Sequence, residues 1–291
     1  MKRIKTGEQV FDFSNILFML FILVIMAYPF WYVLCYSVSD PTQLKGGMIF
    51  YPKGLVFNAF RVCLSNPDIV SGAFISVSRT VIGAGAMIFI TSMAAYALSK
   101  NELFGIKYLR ILFIFTMYFS GGIIPTYMVV KALGLTGTFA VYVIPGLASV
   151  FNMILIRTYI ESLPKSLEES ALISGANEII IFFRIIFPLC KPVIAAVALF
   201  ASVGQWNAYI DTQLYNYKNS ELYSLQYILF NYLAAYTPNR EQAKQQVQMA
   251  AVPPQSIKMA ITVITIVPIA FAYPFLQKYF VSGILIGSVK A

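Results

Sequence analysis

The sequence predicts an all-α, polytopic membrane protein with six transmembrane helices, and three observations carry that prediction. Hydrophobic residues make up 59% of the 291-residue chain and charged residues 11%, where a soluble domain would use about 25% charged residues to cover its surface. Mean hydropathy is correspondingly high, at +0.74. The apolar residues run in stretches of about twenty, the length a helix needs to cross hydrocarbon; barrel strands would be about ten residues long and alternate in character. Lipid leaves no third way to satisfy the backbone.

The spans follow in order. The first covers residues 14–38: its apolar run continues through Tyr28-Pro29-Phe30-Trp31 to Cys35, longer than a signal-peptide core, and reads as a retained helix. The second, 73–98, is rich in small residues (Gly83, Ala84, Gly85, Ala86, Ala94, Ala95) suited to close helix packing. The third, 106–130, is interrupted by Gly121-Gly122 and Pro125. The fourth covers 139–159, the fifth 192–215 and the sixth 259–280. Together they form one transmembrane domain over 1–291, without internal repeat or low-complexity tract.

Long external connections are expected at 39–72 and 216–257. The second carries the Gln-rich stretch Gln242–Gln248 and Pro253-Pro254, and should hold a short helix and then a break, proline being well placed to start the next helix. The main internal connection runs over 160–191. Lys2, Arg3, Lys5, Lys100, Lys107, Arg110, Arg157, Lys165, Arg184, Lys191, Lys278 and Lys290 fall on the N-terminal side of the membrane. Lys45, Lys53, Arg61, Arg79, Lys131, Lys218, Arg240, Lys244 and Lys258 fall opposite, in longer segments. The denser positive charge places both termini in the cytoplasm.

Composition also excludes functions. The net charge of +9 is scattered singly between apolar runs, which fits topology control and anionic lipid rather than a nucleic-acid face. Cys35, Cys63 and Cys190 show no paired spacing, and there is no histidine; neither a metal site nor catalytic residues are indicated.

The internal connection holds the densest local signal. Ser166 followed by Glu169 has capping-box spacing, so a helix should start at Ser166 and end two turns later at Gly175. Ser170, Ala171 and Ser174 give it a small-residue face. The apolar stretch from Asn177 to Phe187, before Pro188, should lie at the membrane surface.

Glu169-Ser170-Ala171, Gly175 six residues after the glutamate, and Ile185-Ile186-Phe187-Pro188 resemble the EAA loop (about 161–190) of binding-protein-dependent ABC importer permeases, with Ser170 replacing the family's alanine. Trp206-Asn207, Pro253-Pro254-Gln255-Ser256-Ile257, Tyr273 to Phe280, and the tail Gly283 to Ala291 are similar to the MalG-like sugar permeases of the carbohydrate-uptake group, and within it to the LplC-like permeases of complex oligosaccharides or polysaccharide fragments. The resemblance implies a MetI-like permease fold in a bacterial plasma membrane. It implies pairing with a homologous second permease, two ABC ATPase subunits and an extracytoplasmic solute-binding protein, and translocation of a saccharide. ATP and Mg would bind the ATPase, since this chain has no phosphate-cradling Gly-x-x-x-x-Gly-Lys-[Ser/Thr] motif. Ser166, Glu168, Glu169, Ser170, Ala171, Gly175 and Pro188 would couple to it, and the C-terminal tail (Gly283, Gly287, Lys290) would reach the ATPase interface or lie back on the membrane.

Gln205, Trp206, Asn207, Tyr209 and Asp211 form a polar-aromatic cluster in the outer half of the fifth span. Two readings stand side by side: a saccharide pathway, or packing and interfacial aromatics with Asp211 at the water boundary. Pro29, Pro125, Pro145, Pro268 and Pro274 are read as hinges or simple packing, and Glu102 with Lys100 and Lys107 as a solvated turn. An ABC permease for a non-sugar solute is the main rival. A secondary transporter would need an intramembrane ion site, and a membrane enzyme convergent catalytic groups; neither is visible.

Overall fold

A computed structural model describes residues 6–44, 47–234 and 252–283. In chain order its helices are α1 (Thr6–Ser37), α2 (Asn58–Ser65), α3 (Pro67–Ser99), α4 (Ile106–Tyr118), α5 (Ile123–Ala132), α6 (Val150–Glu161), α7 (Ser166–Ile173), α8 (Glu178–Ile181), α9 (Phe187–Leu189), α10 (Lys191–Asn207), α11 (Ile210–Tyr215), α12 (Leu225–Ala234) and α13 (Pro254–Gly283). Among the described residues there is no sheet, only an isolated bridge between Ser39 and Leu55.

Six straight spans are not what forms. α1, α3 and α13 are each long and apolar enough to cross a bilayer unbroken; the other three candidates are bent pairs, and the count reaches six when each pair is taken as one span. α4 and α5 meet at 116°, across a break containing Gly122 at φ +88°, a left-handed conformation that favours glycine. Two short 3₁₀ turns, Phe139–Tyr142 and Ile144–Gly146, replace the first half of the fourth span and meet α6 at 47°. There Pro145 occupies the second turn, and Ser149 caps α6 by accepting from the Asn152 N–H. The stretch Glu178–Leu189 meets α10 at 79°. By contrast α1 runs on through Pro29, and α13 through Pro268 and Pro274.

The fifth span is shorter than its hydropathy implies. α10 ends at Asn207, Ala208 is extended (φ −72°, ψ 130°), and a separate α11 starts at Ile210. In the second external connection, a 3₁₀ turn at Ser220–Leu222 and α12 supply the expected short helix; Gln242–Gln248 lie outside the described residues.

The chain divides into two compact units, 1–66 with 231–267 and 67–230 with 268–291. In the first, α1 exposes apolar side chains such as Phe11, Phe18 and Val24 all round, the character of a helix solvated by lipid. Past its end the Asp40 carboxylate caps the turn Pro41–Gln43, accepting from the Thr42 N–H at 2.9 Å and its hydroxyl at 2.8 Å. In the second unit α3 is the central helix, packed against α6 and α10. Gly83, Ala84 and Ala95 of its small-residue run are buried, whereas Gly85 is exposed. Met87, Tyr96, Met153, Ile156, Ile181 and Phe182 belong to one buried cluster.

Candidate functional site

Two polar constructions stand out in the second unit, one just past the C-terminal end of α3 and one around Arg79 within it. The first contains the internal loop. α7 starts at Ser166 and ends at Ile173, the extent the sequence predicts, but the capping box does not form. Pro164 and Lys165 already make the opening turn: Leu167 N–H donates to the Pro164 carbonyl (3.2 Å), and the Glu168 and Glu169 N–H groups to Lys165 (3.0 and 3.1 Å). Lys165 holds the cap position in helical rather than extended backbone, and only the extended form aims a side-chain oxygen at the free N–H groups.

The C-terminal end is as expected. Gly175 is left-handed (φ +82°); its N–H donates to Leu172 O at 2.9 Å and the Ala176 N–H to Ala171 O at 3.0 Å. This paired closure satisfies carbonyls that a helix end would leave open. Asn177 then caps α8, accepting from the Ile180 N–H at 2.9 Å. Phe182–Ile186 widen into a π-helical turn before Pro188, since the proline ring would collide with the carbonyl four residues earlier in an α-helix.

α7 buries none of its residues. Ala171 is half-buried against the core while Ser170 and Ser174 are exposed. Glu169 is exposed, as is Ile173, at 88%. Glu168 turns inward to the Lys100 ammonium at 2.6 Å, which also lies 3.1 Å from Glu178 and 4.5 Å from the centre of the Tyr96 ring. The Tyr96 hydroxyl donates to Glu178. Lys100 is therefore the centre of a network rather than part of a solvated turn. Burial alone would lower its pKa, but hydrogen bonds with Glu168, Tyr96 and Glu178 outweigh that and hold it above the ordinary lysine value.

The second construction surrounds Arg79. Counted above with the external connections, Arg79 instead lies within α3 with its side chain 1% exposed. Its guanidinium donates from Nε and Nη2 to Gln205 Oε1 (3.1 and 3.0 Å), from Nη1 to Asp211 Oδ1 (3.1 Å), and from Nη2 to Asp211 Oδ2. It also stacks 4.3 Å from the centre of the Tyr142 ring. Nη1 further donates to the Ala208 carbonyl (3.3 Å), which accepts from Ser224 Oγ as well (3.3 Å). The arginine thus satisfies backbone freed by the break after α10, as hydrocarbon demands. Gln205 Nε2 in turn donates to the Tyr142 carbonyl at 3.1 Å. A cleft of about 410 Å³ opens beside this cluster, lined by Gly83, Gly146, Ser149, Gln205, Asp211 and Tyr215 among others.

The polar-aromatic cluster predicted for the fifth span therefore divides. Gln205 and Asp211 come together on Arg79. Trp206 is buried against a separate apolar groove with Val77, Leu199 and Pro268; Asn207 is exposed, and Tyr209 stacks on Phe230 at 4.8 Å. Consecutive positions on a helix point about 100° apart, so Gln205 and Trp206 cannot share a wall. Gly283 closes α13, and Gly287 and Lys290 lie outside the described residues. Among the described residues no three or more of His, Cys, Asp and Glu come together as a set that could hold a metal ion.

Comparison with known proteins connects these features. Residues 103–286 match the family described as binding-protein-dependent transport system inner membrane component. Over its whole length the chain is 41% identical to Protein LplC of Bacillus subtilis (strain 168), covering 98% of that protein. It is 36% identical to the polygalacturonan/rhamnogalacturonan transport system permease protein YtcP of the same organism, over 97% of this chain and 99% of that one. The crystal structure of a bacterial ABC transporter involved in the import of the acidic polysaccharide alginate contains a chain of the same fold, with a TM-score of 0.89 and 27% identity, covering 96% of this chain and all of that one. The chain belongs to the family of binding-protein-dependent transport system inner membrane components.

Proposed function

We propose that the protein is one permease subunit of an ATP-driven importer that carries a saccharide, in the form of an oligosaccharide or polysaccharide fragment, into the cytoplasm. The observation that carries this reading is full-length similarity to permeases named for such cargo, among them those for polygalacturonan/rhamnogalacturonan and arabinooligosaccharides. The assembly would contain a second, homologous permease, two ATPase subunits that bind ATP and Mg, and an extracytoplasmic binding protein, with both termini of this chain in the cytoplasm. Arg79, counted above with the outer-side positive charges, is buried within α3, and leaving it out of the outside count favours that orientation.

In this reading α7 is the coupling helix. It is short, exposed, closed by Gly175, and carries Glu169 and Ile173 outward, a surface suited to a cleft in the ATPase. The saccharide path runs past the cleft beside Gln205 and Asp211, whose amide and carboxylate can meet hydroxyl groups. Pro188 and the π turn fix the exit from the loop.

The test is ATP-dependent uptake into intact cells, or right-side-out vesicles loaded with ATP, of the source organism, with and without this chain. Labelled oligogalacturonides, arabinooligosaccharides, alginate oligomers, phosphate and spermidine form the panel. The reading expects at least one saccharide to lose most of its uptake on deletion while phosphate and spermidine are unaffected; loss confined to a non-sugar solute would overturn it.

A further inference from the structure

We propose that Lys100 is a positioning residue for energy coupling: it ties α7 to α3, so that a push on the coupling helix is delivered to the membrane core as movement of α3. The proposal rests on the reading of α7 as the helix that meets the ATPase. It begins from how little else holds α7, which buries no residue and touches the core mainly through half-buried Ala171. Against that loose seating, one ammonium reaches two carboxylates on either side of the Gly175 turn, Glu168 at 2.6 Å and Glu178 at 3.1 Å. Because the two belong to the first turns of successive helices, Lys100 constrains the angle between α7 and α8.

Lys100 follows directly on Ser99, the last residue of α3, so its backbone is fixed to that helix. Tyr96, one turn earlier, is buried, lies 5.4 Å from Phe182 and donates to Glu178. From Lys100 back to Arg79, α3 runs without a break for about 30 Å, ending at the cluster that holds Gln205 and Asp211. The network therefore joins the coupling helix to the substrate cleft through one rigid rod. Partly exposed ion pairs contribute little to stability, and Glu178 is 55% exposed in its side chain; what this lysine supplies is geometry. Adjacent Glu169 points outward, which divides the roles: Glu169 toward a partner, Glu168 toward α3.

The experiment uses the full importer in proteoliposomes with spin labels at Ser174→Cys and Phe74→Cys, both exposed positions, and Mg-ATP with vanadate as the probe for the distance. In the otherwise wild-type chain, nucleotide should leave the distance between labels narrow and unchanged, because α7 and α3 travel together, while a parallel sample without vanadate hydrolyses ATP normally. Lys100→Met should broaden or shift that distance on nucleotide binding and lower uptake per ATP hydrolysed about tenfold, with the thermal midpoint almost unmoved; Lys100→Arg should restore both. Should Lys100→Met fail to assemble, Glu168→Gln with Glu178→Gln removes the same link and carries the same expectation. A Lys100→Met or double-glutamine distance indistinguishable from wild type, or a loss of uptake matched by loss of thermal stability, overturns the proposal. Glu169→Lys is run beside it. If Glu169→Lys uncouples hydrolysis while the Lys100 link proves silent, only the proposal fails; if both are silent, the reading of α7 fails with it.

Discussion

At the scale of residues, Arg79 and Gly175 show two ways a single side chain, or the lack of one, sets the structure. Arg79 is a buried charge whose partners are Asp211 and Gln205. Removing one member of such a pair strands the other and costs about 3–5 kcal/mol. Arg79→Leu should therefore lower the thermal midpoint in detergent sharply, and Arg79→Leu with Asp211→Leu should recover part of the loss; a double loss equal to the sum of the two single losses would show that the pair is not energetically joined. Gly175 has open space around its missing Cβ but a φ of +82°, so substitution there costs backbone strain and not collision. Gly175→Val should cost about 1–2 kcal/mol, leave the protein inserted, and abolish saccharide-stimulated ATP hydrolysis, because the closure of α7 is lost. Unchanged stimulation would mean that the turn plays no part in coupling.

At the scale of elements, legibility followed the range of the interaction. The end of α7 was readable because Gly175 settles it locally, whereas its start at Ser166 was read from a capping box that does not form; Gly121-Gly122 marked the break between α4 and α5 as Gly175 marked that end. The role of Arg79 was not readable: Asp211 lies 132 residues away, and an arginine near the outer end of a span looks identical in sequence to one in a loop. Lys100 was missed similarly, since Glu168 and Glu178 reach it only after the loop folds back. The 79° bend before α10 had its signal in Pro188 and Pro192, which the unbroken apolarity of the surrounding residues masked. Cluster membership in the fifth span went astray because α10 stops at Asn207, which puts Asp211 on a different helix from Gln205 and Trp206.

At the scale of the whole molecule, composition decided the solvent and the spacing of glycine, glutamate and proline in one loop decided the family, before any tertiary contact was known. In the proposed importer α7, which buries none of its residues, is the surface assigned to the ATPase. Whether α7 passes ATP-driven motion to a saccharide path is read from saccharide-stimulated ATP hydrolysis by the reconstituted importer, with the loaded binding protein and a saccharide identified by uptake. Glu169→Lys should keep the permease in the membrane but reduce stimulation to the unstimulated rate. Full stimulation in Glu169→Lys would contradict it.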